Sequence, residues 1–362
     1  MRHVAGIAAL MTAGAVALAL AQQPSGEGPY KVLKTAKVGG EGGWDYIYAD
    51  AAGRRLYIPR GAAAPANARL TIFNLDTLEP AGEIDGVGGH GTAVDPASGH
   101  GFVSGKPVSM FDTKTQKLIK TIDVGAASPD GIVFDAFDRR VYIFSHPTKD
   151  ATVIDAKNGT VLGTIDLGGV PEEGVPDGKG RLYVVMQDTP GSVTVVDVKS
   201  MKATAHYPLG DKGSRCNGLA LDAKNGILFA ACGNSGSPAA QPAQPMMTIL
   251  RAADGRILTS LPLPGGSDGA MFNPATMEAF ATLGNGVLTV VKEKSATSFE
   301  VEQNLQTMNG ARTIALDSKT GHLFTMSQER TPAPAPVPGE GRGRGGRGQA
   351  VPGSFTILMI GK

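Results

Sequence analysis

The chain has 362 residues, 34 Lys and Arg against 33 Asp and Glu, and a formal net charge of +1. So even a balance excludes a globally basic face for nucleic acid, and no segment beyond the N-terminus has the roughly 18 consecutive apolar residues of a membrane-spanning helix. The 50 Gly and 24 Pro suit many short strands joined by tight turns.

At the N-terminus Arg2 and His3 precede an uncharged run from Val4 to Leu20 that closes with Ala19-Leu20-Ala21. This reads as a secretory signal peptide over 1–21, cut after Ala21, with the mature protein periplasmic or secreted. A membrane anchor is the alternative, but the run is short, rich in Ala and Gly, and ends in a small-x-small pattern. Residues 22–30 form a short lead and 31–362 the folded unit. A conventional single core stops growing near ~250–300 residues, so a chain of this length needs either two domains or a repeat.

The sequence supplies the repeat. Seven runs of one form follow one another: Asp45-Tyr-Ile-Tyr-Ala-Asp50, His90-Gly-Thr-Ala-Val-Asp95, Asp130-Gly-Ile-Val-Phe-Asp135, Glu172-Glu-Gly-Val-Pro-Asp177, Asn217-Gly-Leu-Ala-Leu-Asp222, Asp268-Gly-Ala-Met-Phe-Asn273 and Arg312-Thr-Ile-Ala-Leu-Asp317. Each is followed by a turn and a second apolar run, among them Leu56-Tyr-Ile, Val141-Tyr-Ile-Phe, Leu182-Tyr-Val-Val and Leu323-Phe-Thr. Third runs such as Ala151-Thr-Val-Ile-Asp155 and Ser192-Val-Thr-Val-Val-Asp197 are rich in β-branched residues and argue for strands over helices. The unit, repeating every ~45 residues, is a four-stranded meander, and seven meanders predict an all-β, seven-bladed β-propeller.

The seventh unit lacks a fourth strand, because the chain ends on Phe355-Thr-Ile-Leu-Met-Ile-Gly-Lys362, which matches the third runs. Lys34-Thr-Ala-Lys-Val-Gly39 matches the fourth runs Lys120-Thr-Ile-Asp-Val-Gly125 and Gly163-Thr-Ile-Asp-Leu-Gly168. The N-terminal strand is therefore expected to complete the last blade and remove the open sheet edges.

Cys216 and Cys232 flank the turn Asp222–Gly226 symmetrically, so a hairpin would set them face to face. A disulfide and a pair of free buried thiols both fit, and a two-cysteine metal site would need further ligands that the sequence does not offer.

Arg139-Arg140-Val-Tyr-Ile, Gly180-Arg-Leu-Tyr-Val-Val and the Thr-Ile-Asp-Val-Gly endings resemble the YncE-like, or YVTN-repeat, family of bacterial propellers, over almost the whole mature chain. Blade 1, with Arg54-Arg55-Leu-Tyr-Ile, fits well, whereas blades 5 to 7 depart from the pattern. The resemblance implies the propeller fold, and it brings single-stranded DNA as a partner class without a residue motif to carry it. The Gly-His…Trp-Asp signature of WD40 repeats and the Cys-x-x-Cys-His of c-type haem attachment are absent from the sequence.

Aligning the seven first runs on their final Asp or Asn exposes a column five residues earlier: Asp45, His90, Asp130, Glu172, Asn217, Asp268 and Arg312. All are polar, and the next position is largely Gly. In a propeller the first strands line the central channel, so these seven groups are expected to converge at one mouth. A wet channel mouth accepts polar side chains without any function. The sharper reading takes them, with Glu173, as a ligand or acid/base set, because clustered carboxylates call for a cation, a basic ligand or raised pKa values. Oxygen ligands from Asp45, Asp130, Glu172 and Asp268 would favour Ca²⁺ or Mg²⁺ over zinc. Trp44, Arg60, His146, Gln187 and Gln328 are expected on the same face, with His146 able to join His90. His100 and His322 fall in turns on the opposite face and read as exposed, and His206 on an outer strand reads as structural.

Three long loops are expected near the mouth, at Gly61–Ala68, Asn234–Pro245 and Gln328–Gly353. The last, a disordered Pro/Ala- and Arg/Gly-rich segment at about 329–353, holds Arg342, Arg344 and Arg347 among glycines. Nucleic acid, an anionic glycan or lipid head group, and a plain solvated linker are its three readings. The sequence thus points to a monomeric exported propeller that binds a small ligand, a cation or a periplasmic or cell-surface protein at the mouth. The alternatives are a Ca²⁺- or Mg²⁺-dependent lyase or lactonase with His90 as general base, and a polyanion binder.

Overall fold

The computed structural model describes residues 27–62, 67–125, 128–233, 244–332 and 348–362. The signal-peptide assignment, most of Asn234–Pro245 and the Arg/Gly stretch lie outside these residues. Among the described residues, twenty-eight strands form seven antiparallel sheets of four, arranged as the seven blades of a β-propeller. No helix among the described residues is long and apolar enough to cross a membrane.

The Asp or Asn that ends each first strand explains the repeat. Asp50 Oδ1 accepts from the backbone N–H groups of Ala52 and Gly53, and Asp95, Asp135, Asp177, Asp222, Asn273 and Asp317 each accept from an N–H two residues on. A side chain that bonds its own downstream backbone nucleates the turn into the second strand. Some of these carboxylates also tie blades together. Arg139, in the turn of blade 3, donates to buried Asp95 of blade 2, and Arg54 of blade 1 lies 2.8 Å from buried Asp317 of blade 7. Arg139→Ala is expected to lower unfolding stability by about 2 kcal/mol, because it strands a buried carboxylate that keeps only its local donors. Urea unfolding of the variant measures this, and a change below about 0.5 kcal/mol would show that the pair is inert.

The core lies between blades. Leu56, Ile58 and Phe73 of blade 1 meet Phe324, Met326, Ile357 and Met359 of blade 7 in one buried cluster. Blade 7 is completed by the N-terminal strand Lys31–Lys37, which pairs antiparallel with Thr356–Gly361 in the register Thr35↔Leu358. The expected closing strand is present and sits about three residues earlier than the Lys34–Gly39 match. Val38 and Gly39 continue it as backbone donors to the Phe355 carbonyl. Tyr30, just ahead, is buried against Phe280 and donates to Glu278, which also holds Lys362 at 2.8 Å. Tyr30 and Lys362 thereby fasten the two outermost strands of blade 7 to blade 6.

Candidate functional site

The polar column is delivered to the mouth in two ways. Asp45, His90, Asn217 and Arg312 stand just ahead of inner strands that begin at Tyr48, Thr92, Gly218 and Ile314. Asp130, Glu172 and Asp268 lie within inner strands, each at a break in register, between Pro129 and Ile132, Pro171 and Gly174, and Ser267 and Gly269. A bulge of this kind re-aims a side chain without ending the strand. The glycine that follows has a steric cause. A Cβ on Gly131 would lie 2.3 Å from the Glu172 carbonyl oxygen, and one on Gly218 would lie 2.7 Å from the backbone of Gly269. At these two positions the neighbouring inner strand comes too close for a larger residue.

All seven column residues meet, with His146 as an eighth, in a closed circuit. His90 Nδ1 lies 2.8 Å from Asp45 Oδ2 and 3.2 Å from Asp130 Oδ1. His146 Nε2 lies 3.1 Å from Asp130 Oδ2 and 2.7 Å from Glu172 Oε2. Asn217 Nδ2 spans Glu172 Oε1 at 3.4 Å and Asp268 Oδ1 at 2.8 Å. Arg312 closes the ring with 2.9 Å to Asp268 and 3.1 Å to Asp45. Carboxylates and donors alternate all the way round, which offsets the mutual repulsion of four acids.

Burial and these contacts set the protonation. Burial pushes Glu172 up to about 7 against the opposing hydrogen bond from His146, and it raises Asp130 and Asp268 as well. The hydrogen bond to Asp45 raises His90 against its burial. Burial works against a charge on His146, yet Glu172, Asp130 and Asp45 outweigh it and its pKa also rises. Burial likewise disfavours the Arg312 cation, and Asp268 and Asp45 more than compensate. The two carboxylates beside His90, Asp45 and Asp130, thus favour its protonated form.

The other expected residues divide. Gln187 donates to Glu172, and Trp44 Nε1 donates to Gln328 at 3.0 Å while its ring lies 5.7 Å from the Arg312 guanidinium, so all three border the ring. Arg60 is a correction: it is buried, stacked 3.8 Å over Phe355 and bonded to the carbonyls of Gly40 and Gly42, so it holds the seam and offers nothing to a ligand. Glu173 accepts from the backbone N–H groups of Leu219 and Ala270 in the next two blades, with burial raising it to about 8. Asp268 is engaged by Arg312 and Asn217 and stands outside both groups of side chains with metal-ligand geometry. His100 and His322 are half-buried and not free in solvent, His100 lying 3.3 Å from the Ala156 carbonyl. His206 sits on the outer strand Lys202–Pro208 beside Thr194. Cys216 and Cys232 form a disulfide that anchors the chain next to Asn217. Tyr46 was not anticipated: its hydroxyl donates to Glu172 Oε1 at 3.0 Å, and burial pushes its pKa well up. Its place directly after Asp45, outside the aligned column, hid it.

Fold and site together define a seven-bladed β-propeller with a polar, acid-rich channel mouth. Among solved structures the chain is similar to a chain of hydrazine synthase from Kuenenia stuttgartiensis, with a TM-score of 0.67 and 16% identity over 84% of this chain and 95% of that one. It is also similar to U3-55K, with a TM-score of 0.68 and 10% identity over 91% and 98% of the two chains. The WD40 repeats of RRP9 give a TM-score of 0.69 and 10% identity over 92% and 99%. At such identities the likeness is one of fold alone. No protein-family model matches the sequence, and no curated protein matches it.

Proposed function

We propose that this chain is an exported binding propeller of the YncE-like type, which captures a small cationic ligand at its channel mouth. The observation that carries the reading is the charge inventory of the ring. Four carboxylates from four blades converge there, answered by one permanent cation, Arg312, and by two imidazoles that must borrow protons. Such a mouth attracts positive charge and replaces those protons with it. The likeness to WD40-repeat propellers supports a binding or scaffold role in general terms. The Cys216–Cys232 disulfide fits an oxidising compartment such as the periplasm.

A screen of melting temperature against Zn²⁺, Mn²⁺, Ca²⁺, putrescine, spermidine, phosphate and citrate tests the reading. A cation at about 100 times its Kd adds ~2.7 kcal/mol, which for a protein of this size is a rise of roughly 5 °C. Asp130→Asn is expected to abolish the rise. Stabilisation by the anions alone, or by nothing in the panel, would overturn it.

A further inference from the structure

The ring contains two overlapping triads of metal-ligand type. Asp45, His90 and Asp130 form one and Asp130, His146 and Glu172 the other, with the ligand atoms of each within 4.8 Å of one another. Asp130 belongs to both, turning Oδ1 toward His90 and Oδ2 toward His146. A ring nitrogen carries a single hydrogen. His90 Nδ1 is hydrogen-bonded to Asp45 and His146 Nε2 to Glu172. Asp130 Oδ1 is left buried, with no hydrogen-bond partner among the described residues. A buried carboxylate oxygen in that condition is costly. One proton cannot serve two carboxylates, whereas a metal ion binds every member of a triad at once.

We propose that the mouth binds a pair of divalent d-block cations, one in each triad, bridged by the Asp130 carboxylate. The proposal rests on the cationic-ligand reading and narrows it to a class. Ligand identity favours these cations over the Ca²⁺ or Mg²⁺ expected from sequence: imidazole suits Zn²⁺, Fe²⁺, Co²⁺ and Ni²⁺, while Ca²⁺ and Mg²⁺ prefer oxygen. The nitrogen-to-oxygen edges of 2.8, 3.2, 3.1 and 2.7 Å agree in size. Octahedral bonds of ~2.1 Å, as at Ni²⁺ or Co²⁺, place neighbouring ligand atoms about 3.0 Å apart, whereas tetrahedral Zn²⁺ and the ~2.4 Å bonds of Ca²⁺ both need about 3.4 Å, so the edges favour the octahedral ions and the imidazoles carry the case for Zn²⁺.

The surroundings hold the ligands in that pose. Asp45 turns its second oxygen to Arg312 and Glu172 turns its second oxygen to Tyr46 and Asn217, while Gln187 also donates to the Glu172 oxygen that faces His146 and would have to give way to a metal there. Asp268 neutralises Arg312 at 2.9 Å, which removes its repulsion for incoming cations. Asn217 is buried, and its Oδ1 has no hydrogen-bond partner among the described residues, leaving an acceptor for a metal-bound water.

The test uses the full chain without a polyhistidine tag, stripped with chelator and dialysed against Zn²⁺, Co²⁺, Ni²⁺ or Ca²⁺. Elemental analysis is expected to find two equivalents of Zn²⁺, Co²⁺ or Ni²⁺ and none of Ca²⁺. His146→Ala should retain one equivalent, and Asp130→Asn should lower the affinity of both by more than tenfold. Circular dichroism of the chelated variants separates lost ligands from lost fold. If a variant does not fold, the Co²⁺-loaded unaltered protein should show hyperfine-shifted imidazole resonances from His90 and His146. Unshifted imidazoles, a single equivalent in the unaltered protein, or a preference for Ca²⁺ would overturn the proposal. Binding of putrescine or spermidine without any of the metals would overturn it and leave the cationic reading standing. Binding of no cation at all removes both.

Discussion

A chain that begins at Gly40 is expected to yield no cooperatively folded monomer. That truncation removes Lys31–Lys37 together with the donors Val38 and Gly39. It uncovers Thr356–Gly361, whose six residues are all buried in the closed ring. An exposed apolar edge strand pairs with other chains, so size-exclusion chromatography should show oligomers or aggregate in place of a monomer. A peptide of residues 27–39 added in trans should restore the monomer and a single melting transition, because it supplies the missing strand without a covalent link. A truncated chain that stays monomeric with an unchanged melting temperature would show that the inter-blade clusters suffice without closure.

Glu278→Gln should cost about 2 kcal/mol at pH 7, with the difference fading as the pH falls toward 3. Glu278 is fully buried, and burial alone would raise its pKa, but Lys362 and Tyr30 outweigh that and hold it at about 2 against an ordinary 4.5. A depressed acid contributes stability above the unfolded value, here about 4.5, and loses it as the pH falls toward about 2. The full difference corresponds to ~3 kcal/mol. Half-exposed Lys362 is screened by solvent, which reduces it. Neighbouring Glu302 is raised by its burial and by Glu278, so it works with the opposite sign and reduces the slope further. Urea titrations of both proteins at pH 7 and pH 3 measure the effect. An equal deficit at the two pH values would place its origin in packing.

The fold was legible in the sequence because its repeat is written in turn chemistry. A terminal Asp or Asn that bonds its own backbone is a local requirement, met in all seven blades even where blades 5 to 7 have drifted elsewhere. Closure was legible because Lys34–Gly39 still looks like the fourth strands it replaces, although the pairing begins earlier than the match. Which residues line the mouth was readable from one column of the alignment. How they connect was not. The bulges at Asp130, Glu172 and Asp268 leave no mark on strand periodicity, and neither does the reach of Glu173 to the backbone of Leu219 and Ala270. His146 and Gln187 approach from second strands and Tyr46 from beside the column, and such reach depends on blade geometry. Arg60 looked like a mouth residue because its position along the second strand is right. Only packing reveals that Phe355 and two carbonyls claim it.

The glycine column has a consequence beyond fit. With backbone nearly touching backbone at Gly131 and Gly218, the inner strands cannot draw nearer, and any side chain there would force them apart. These glycines therefore act as a gauge for the aperture: they set its diameter, while the polar residue beside each sets its chemistry. An alanine at Gly131 would press its Cβ on the Glu172 carbonyl and push the inner strands of blades 3 and 4 apart. The propeller can exchange the chemistry of its mouth one blade at a time, but its width is shared by all seven.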